Sequence, residues 1–554
     1  MTNRTGAALL VESLERAGID TVYGVPGEET TALMEAIADS AIEFVLCRHE
    51  QSAAFMASVH GRITGRPGVC LSTLGPGATN LVTGVADAQL DHAPLIAISG
   101  QGARDRLGRL SHQMIDLQAL FAPITKMSRT ILAAHDIPAT MAEALRVAQS
   151  GRPGAVHLSL PEDVASLTTD AAPYPVQSDP TVQAGEDDIA SIADHLLAAE
   201  RPVIVAGAGC LRDGAADAVH QFAEASGISV ATTFMAKGIL PPDHPLMLYT
   251  VGQSDEDWID LALQAADLVL FVGFDPVEYA TDAVVQGPDT KICVIDQDAP
   301  RADTGVEIAA QAIGDITHTL TELGDRLNGR SWALPHAFEG ARDSMRKALA
   351  RRMTKSDAGP VAPTDICRIV SDQLRPEDTV LSGVGMHKLW IARHLMVKRP
   401  GQLIIPNGLA GMGLALPGAV AAARLRPEGR VLALCGDGDV MMNVQDMETI
   451  TRLSLRLSVM VWVDGGLGLI DAHQGEEGPR FPFGNPIWRQ LADAFGWTFA
   501  AANGLRDLPD LLDAANAAEG PTLLTVPVDY EAVGRMPSAT DEISGNSEGT
   551  SAVA

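Results

Sequence analysis

The chain has 554 residues, 46% hydrophobic and 20% charged, so it can bury several cores and does not have the composition of a disordered tail. Its 40 basic and 70 acidic side chains leave a net charge of −30. That balance argues against nucleic acid or an anionic membrane as the main partner, and means that an anionic ligand needs a metal ion or backbone dipoles to hold it.

The N-terminal apolar stretch carries Glu12 and Glu15, which does not suit a signal peptide. Short β-rich runs follow at Thr21–Val25, Phe44–Cys47, Val69–Thr73, Leu95–Ser99 and Ala155–Leu160. After a Pro/Asp/Gln-rich stretch over 168–188 come Pro202–Ala206, Leu268–Val272 and Ile292–Ile295. The segment 329–363 holds a basic helical patch and a loop, and reads as a second linker. The last runs are Thr379–Leu381, Val431–Cys435, Val459–Val463 and Thr522–Val526. Apolar runs of this length, bounded by Gly, Pro or Asp and alternating with helical patterns, predict parallel strands buried on both faces. The fold class is therefore α/β, with three doubly wound parallel-sheet domains at about 1–165, 190–330 and 360–532 and a disordered tail at 537–554. The uncharged run Gly401–Ala423 contains Pro406, Asn407, Pro417 and several glycines, and predicts a buried loop and helix rather than a membrane span. Six cysteines, none in a C-x-x-C pair and all in apolar runs, read as buried free thiols of a reducing cytoplasm.

The sharpest chemical signal lies over 431–470. The strand Val431–Cys435 runs into Gly436-Asp437-Gly438-Asp439, followed by a helical pattern around Val444–Leu453, and the next strand ends at Val463-Asp464-Gly465-Gly466. A strand, a Gly-rich turn and a helix start make an anion cradle. A carboxylate in that turn would repel a phosphate unless a hard cation stood between them. Asp437 and Asp464, at the ends of neighbouring parallel strands, are oxygen ligands suited to Mg²⁺. Two other stretches stand out: Glu50 in Arg48-His49-Glu50-Gln51, opening an Ala-rich helix after a strand, and the Gly-rich Gly408-Leu409-Ala410-Gly411-Met412-Gly413.

These motifs, in this order, resemble the thiamin-diphosphate decarboxylase superfamily over nearly the whole chain, and its acetolactate synthase group in particular. The 436–464 segment is similar to the GDG…Asn-Asn/Asp signature, with Val463 in place of the first Asn. The resemblance names the three domains pyrimidine-binding, central and diphosphate-binding. It implies Mg²⁺ on Asp437, Asp464 and the Gly466 carbonyl. Thiamin diphosphate then lies against Val25, Pro26, Pro76, Asn80, Met386, His387, Gly411, Met412, Gly436, Gly438, Asp439, Val440, Leu467, Gly468 and Leu469. Of the pair Met386 and His387 at the diphosphate, Met386 cannot donate a hydrogen bond, so His387 is the firmer match. Glu50 matches the glutamate that hydrogen-bonds the aminopyrimidine N1′ and favours its imino tautomer, and Met412 the wedge that bends the cofactor.

Gly24-Val25-Pro26-Gly27, Leu74-Gly75-Pro76-Gly77-Ala78-Thr79-Asn80 and His112-Gln113-x-x-Asp116 fit the synthase group. There Gln113 faces the reacting adduct as a catalytic and substrate residue, with Leu469 and His473 also lining the substrate. The stretch Gly273-Phe274-Asp275-Pro276-Val277-Glu278-Tyr279 resembles the FAD-independent catabolic synthases, so FAD is not expected. His473 stands where biosynthetic enzymes place a Trp for 2-ketobutyrate, so that preference is not expected either. The resemblance implies a cytoplasmic homodimer or homotetramer with active sites between subunits, acting on a small 2-keto acid. The expected reaction is condensation of two pyruvates to 2-acetolactate and CO₂. Another thiamin-diphosphate lyase or decarboxylase, acting on a different 2-keto acid or acyloin, is the alternative, motivated by Val463, Met386 and His473.

Overall fold

A computed structural model describes residues 4–252, 258–285, 287, 289–300, 305–474, 479 and 481–531. The expected tail at 537–554 lies outside the described residues. Three six-stranded sheets, every pairing parallel, follow one another along the chain. The first runs in the spatial order Glu43–Leu46, Thr21–Val25, Gly68–Ser72, Leu95–Gln101, Ala155–Pro161, Met127–Thr130. The second runs Met247–Thr250, Ser229–Thr232, Pro202–Ala206, Leu268–Val272, Lys291–Asp296, Ala310–Ile313. The third runs Leu403–Ile404, β1 (Thr379–Ser382), β2 (Val431–Gly436), β3 (Ser458–Val463), Thr522–Pro527, Thr498–Ala501. Helices cover both faces, so the central strands are buried along nearly their whole length and mostly apolar.

Among the described residues, no helix is long and apolar enough to cross a membrane. The run at 401–423 forms a loop and the buried helix Ala415–Leu425. The segment read as a second linker is different from expectation. Its helix His336–Ala350 inserts Phe338, Ala341 and Met345 into the core of the second sheet, so it belongs to that core. A basic outer face hid the three apolar positions on its inner one.

Three helices carry the site to its place. Helix α1 (Glu50–Thr64) starts at His49, whose Nδ1 accepts the Gln51 N–H at 3.1 Å. It packs closely on α2 (Pro76–Leu90) because small residues meet: a Cβ on Gly84 would stand 2.5 Å from the Ala54 Cβ. Helix α3 (Met386–His394) follows β1. In the third sheet the chain leaves β1 toward one edge and resumes at β2 toward the other. The crevice between their carboxyl ends is thus a topological switch point, where open α/β sheets bind ligands.

Candidate active site

Gly436 of β2 pairs with Trp462 of β3, so Asp437 and Asp464 leave adjacent strands almost level with each other. Asp437 is buried. Its Oδ1 accepts the Gly438 N–H and its Oδ2 accepts the Gly465 N–H and the Asn485 amide, each at 2.8 Å. Asp464 keeps a solvent-facing edge. Even so, the protein around it and then the Asp437 carboxylate beside it push its carboxyl above the usual range. Two carboxylates forced together in this way fit a hard dication, which takes oxygen ligands and removes the repulsion.

The two acids open into a cavity of about 130 Å³. Of the residues expected at the cofactor, Met386, His387, Met412, Gly436, Asp437, Gly438, Asp439, Asp464, Gly466, Leu467, Gly468 and Leu469 line it together. The backbone is bare where it must be: a Cβ on Gly468 would sit 2.8 Å from Asp464 Oδ2, and one on Gly438 3.1 Å from the Phe483 ring. His387 is buried and its Nε2 accepts the Gly436 N–H at 3.1 Å, which leaves Nδ1 as the protonated nitrogen. Burial lowers its pKa to about 3, so the ring is neutral. Asp439 points inward. Its Oδ1 accepts the Val384 N–H at 2.9 Å and the Gly413 N–H at 2.8 Å, and burial raises its carboxyl to about 6. That side chain ties the cradle to the loops on either side of it.

The remaining expected residues stand elsewhere. Val440 is buried behind the cradle. Gly411 faces the Phe55 ring, which a Cβ at that position would approach to 3.3 Å. His473 is exposed on the helix Gly468–Gln474. Glu50, Asn80, Pro76, Val25, Pro26 and Gln113 gather at the carboxyl end of the first sheet. Glu50 is buried at the head of α1 and its Oε2 accepts the Asn80 amide at 2.9 Å. A Cβ on Gly77 would come 3.1 Å from Glu50 Oε1. Gln113 lies in an exposed loop with φ +58°, its backbone against Gly75, next to Pro76 at the start of α2. None of these residues lines the cavity at Asp437.

Two further contributors have no signal in the sequence motifs. Asn485 comes from an irregular segment with no periodicity to mark it. Tyr530, just beyond the last strand, lines the cavity, and burial together with Asp464 and Asp437 holds its hydroxyl well above its ordinary pKa. Val463 lacks the expected amide, yet an amide does reach Asp437, from Asn485.

Comparison with known proteins agrees with this arrangement. The chain matches, in order, the thiamine pyrophosphate enzyme N-terminal TPP binding domain over residues 4–120, the central domain over 189–323 and the C-terminal TPP binding domain over 383–526. It is 31% identical over 532 residues to the catabolic acetolactate synthase of Raoultella terrigena, covering 95% of each chain. It is 31% identical to the acetolactate synthase of Bacillus subtilis strain 168, covering 96% of this chain and 94% of that one. It is 32% identical to the acetolactate synthase isozyme 1 large subunit of Escherichia coli K12, covering 95% and 94%. With the cradle, the paired acids and the buried glutamate in their places, this chain belongs to the thiamine pyrophosphate enzymes, in the acetolactate synthase family.

Proposed function

We propose that the protein condenses two pyruvates to 2-acetolactate and CO₂, using thiamin diphosphate and Mg²⁺. The observation that carries this reading is the pair Asp437 and Asp464, held together at the ends of β2 and β3, beside the switch point of the third sheet. Mg²⁺ would be held by these two carboxylates and the Gly466 carbonyl, with Asn485 orienting Asp437. The cofactor, when bound, supplies the carbanion chemistry and the electron sink for decarboxylation. The chain's own part is binding, orientation and protons. With the Gly436 and Gly438 N–H groups given to His387 and Asp437, the Asp439 end of the turn and the start of α3 are what would present backbone N–H groups to the diphosphate. Glu50, kept in place by Asn80, holds a proton at the pyrimidine end. Gln113 offers a neutral amide that can orient a keto acid without protonating the carbon that must stay nucleophilic until the second pyruvate arrives.

The site is proposed to form between two copies. Support comes from the Asp437 cavity, which Glu50, Asn80 and Gln113 of the same chain do not line. Apolar side chains around them are left uncovered, among them Leu110, Ile115, Met442, Phe481 and Ile487. Six unpaired buried thiols suit a cytoplasmic home.

FAD is not proposed as a cofactor. At the carboxyl ends of the central strands Glu278 Oε1 accepts the Ala208 N–H at 3.0 Å, Tyr279 packs edge-on against Phe234, and Asp275 takes ion pairs from Arg152 and Arg212 and stands 2.8 Å from His92 Nε2, so the 273–279 stretch is engaged by protein groups. The test is the purified protein with pyruvate, saturating thiamin diphosphate and Mg²⁺, product identified by mass and by the acetoin colour reaction. Acetolactate should form without added FAD. Its absence, with turnover of another 2-keto acid tried under the same conditions, would overturn the assignment of the substrate.

A further inference from the structure

The loop Asn407–Gly413, which carries Met412, is gripped from outside its own domain. Asp91, buried at the end of α2, accepts the Asn407 N–H at 3.0 Å and the Gly408 N–H at 2.6 Å. Arg62, near the end of α1, pairs with Asp91, stands 3.4 Å from Asp87 and donates to the Ile405 carbonyl at 3.1 Å. The Asn407 side chain is fixed at both its atoms. Its Oδ1 accepts from Lys388 of α3 at 3.2 Å, and its Nδ2 donates to the Val277 carbonyl at 3.0 Å. Asn407 is thus a point where groups from all three sheet regions meet. A Cβ on Gly408 would stand 2.5 Å from the Leu90 Cβ, so the loop lies flat on α2. Its other end is pinned where Asp439 accepts the Gly413 N–H.

We propose that Asp91, acting through Asn407 and Lys388, is a positioning residue that sets where Met412 stands in the active-site cavity. The inference rests on the reading of that cavity as a thiamin-diphosphate site. A short glycine-rich loop with one non-glycine residue in the left-handed region, Ala410 at φ +53°, has little rigidity of its own. Two backbone N–H groups accepted by one buried carboxylate fix its height, and charge-assisted bonds of this kind are the strong ones. Loss of the carboxylate would let the loop rise from α2 while the cradle around Asp437 stays intact.

The test is Asp91→Asn in the full-length protein, with Asn407→Ala as a milder second variant that keeps the backbone contacts to Asp91. Three quantities are read. The first is amide hydrogen exchange over 405–413 in cofactor-free protein, expected to quicken about tenfold or more in Asp91→Asn. The second is affinity for Mg²⁺–thiamin diphosphate, expected to stay within about threefold, set against kcat, expected to fall about tenfold or more because a displaced wedge misaligns the reacting atoms. The third is the near-ultraviolet circular dichroism band of the bound aminopyrimidine, expected to weaken. Unchanged exchange would overturn the proposal. So would quickened exchange with kcat and the dichroic band intact, or kcat and affinity falling together in proportion to lost folded protein. If the wild type makes no acetolactate, the substrate assignment fails, while exchange and the dichroic band still decide the role of Asp91. If the wild type binds no thiamin diphosphate, the cavity reading and the proposal fall together.

Discussion

Asp437 accepts three hydrogen bonds through its two oxygens before any metal arrives, and one of the donors is Asn485. That amide would have a positional role toward the proposed Mg²⁺, orienting the carboxylate that would hold it. Replacing it by Ala should raise the Mg²⁺ concentration for half-maximal activation about 10–100-fold, the usual cost of losing such a partner, with kcat at saturating Mg²⁺ much less affected. Metal titration of activity measures this. Glu50→Gln should lower kcat by about 10²–10⁴-fold while the far-ultraviolet spectrum and unfolding midpoint stay close to wild type, because Asn80 still finds an acceptor at residue 50. The acids Asp437, Asp464 and Glu50 are legible in the sequence because each stands at a strand end, in a turn of fixed spacing. Asn485 is not. It is brought to Asp437 by an irregular segment whose path depends on Phe483 packing over Gly438, and no local pattern records that contact.

The same contrast holds for elements. All the expected runs but Phe44–Cys47, which falls on the edge strand Glu43–Leu46, lie on interior strands of the three sheets, where both faces are covered and the sequence is mostly apolar. Most of the strands without such a run are edge strands: Met127–Thr130, Met247–Thr250, Ala310–Ile313, Leu403–Ile404 and Thr498–Ala501. These strands are short, two to four residues, so none offers an apolar run long enough to stand out, even where it is buried as Met247–Thr250 is. Ser229–Thr232 is interior yet lacks the signal, because Ser229 and Thr232 interrupt its apolar run. Close packing of α1 on α2 depends on Gly84, and Gly84→Val should cost about 1–3 kcal/mol by overpacking, read as a lower urea midpoint at unchanged m-value. Glu278, at the central sheet, has a pH-dependent effect on stability. Burial raises the Glu278 carboxyl to about 7, so the folded protein holds a proton there that the unfolded chain releases near pH 4.5. Wild-type stability therefore loses a contribution as pH rises from about 4.5 to about 7. Glu278→Gln should gain on wild type across that window, by on the order of 1–3 kcal/mol, and hold a constant difference above it. Unfolding midpoints of both proteins at fixed ionic strength provide the comparison.

At the scale of the molecule, the proposal that the site forms between two copies calls for a subunit-mixing experiment. Glu50→Gln and Asp437→Asn proteins should each be inactive alone. Unfolded together and refolded, half of the dimers would carry both variants, and each of those would have one intact site. Activity should return to about a quarter of wild type. No recovery on mixing would place the whole site within one chain. The three-sheet plan is legible because strand–helix alternation repeats three times. The union of the segment at 336–350 with the central core is not, since its apolar positions are sparse and its outer face is basic.

The burial of Cys47, Cys70, Cys210, Cys293, Cys367 and Cys435, which lifts every one of these thiols above its ordinary pKa, has a practical outcome. Maleimides act on exposed thiolates, so the native protein should take up almost none. A cysteine substituted for Leu409, which is 39% exposed between Asp91's grip and Met412, would then be the sole addressable handle. A fluorophore attached there would report the movement of that loop in real time, with no background from the rest of the chain.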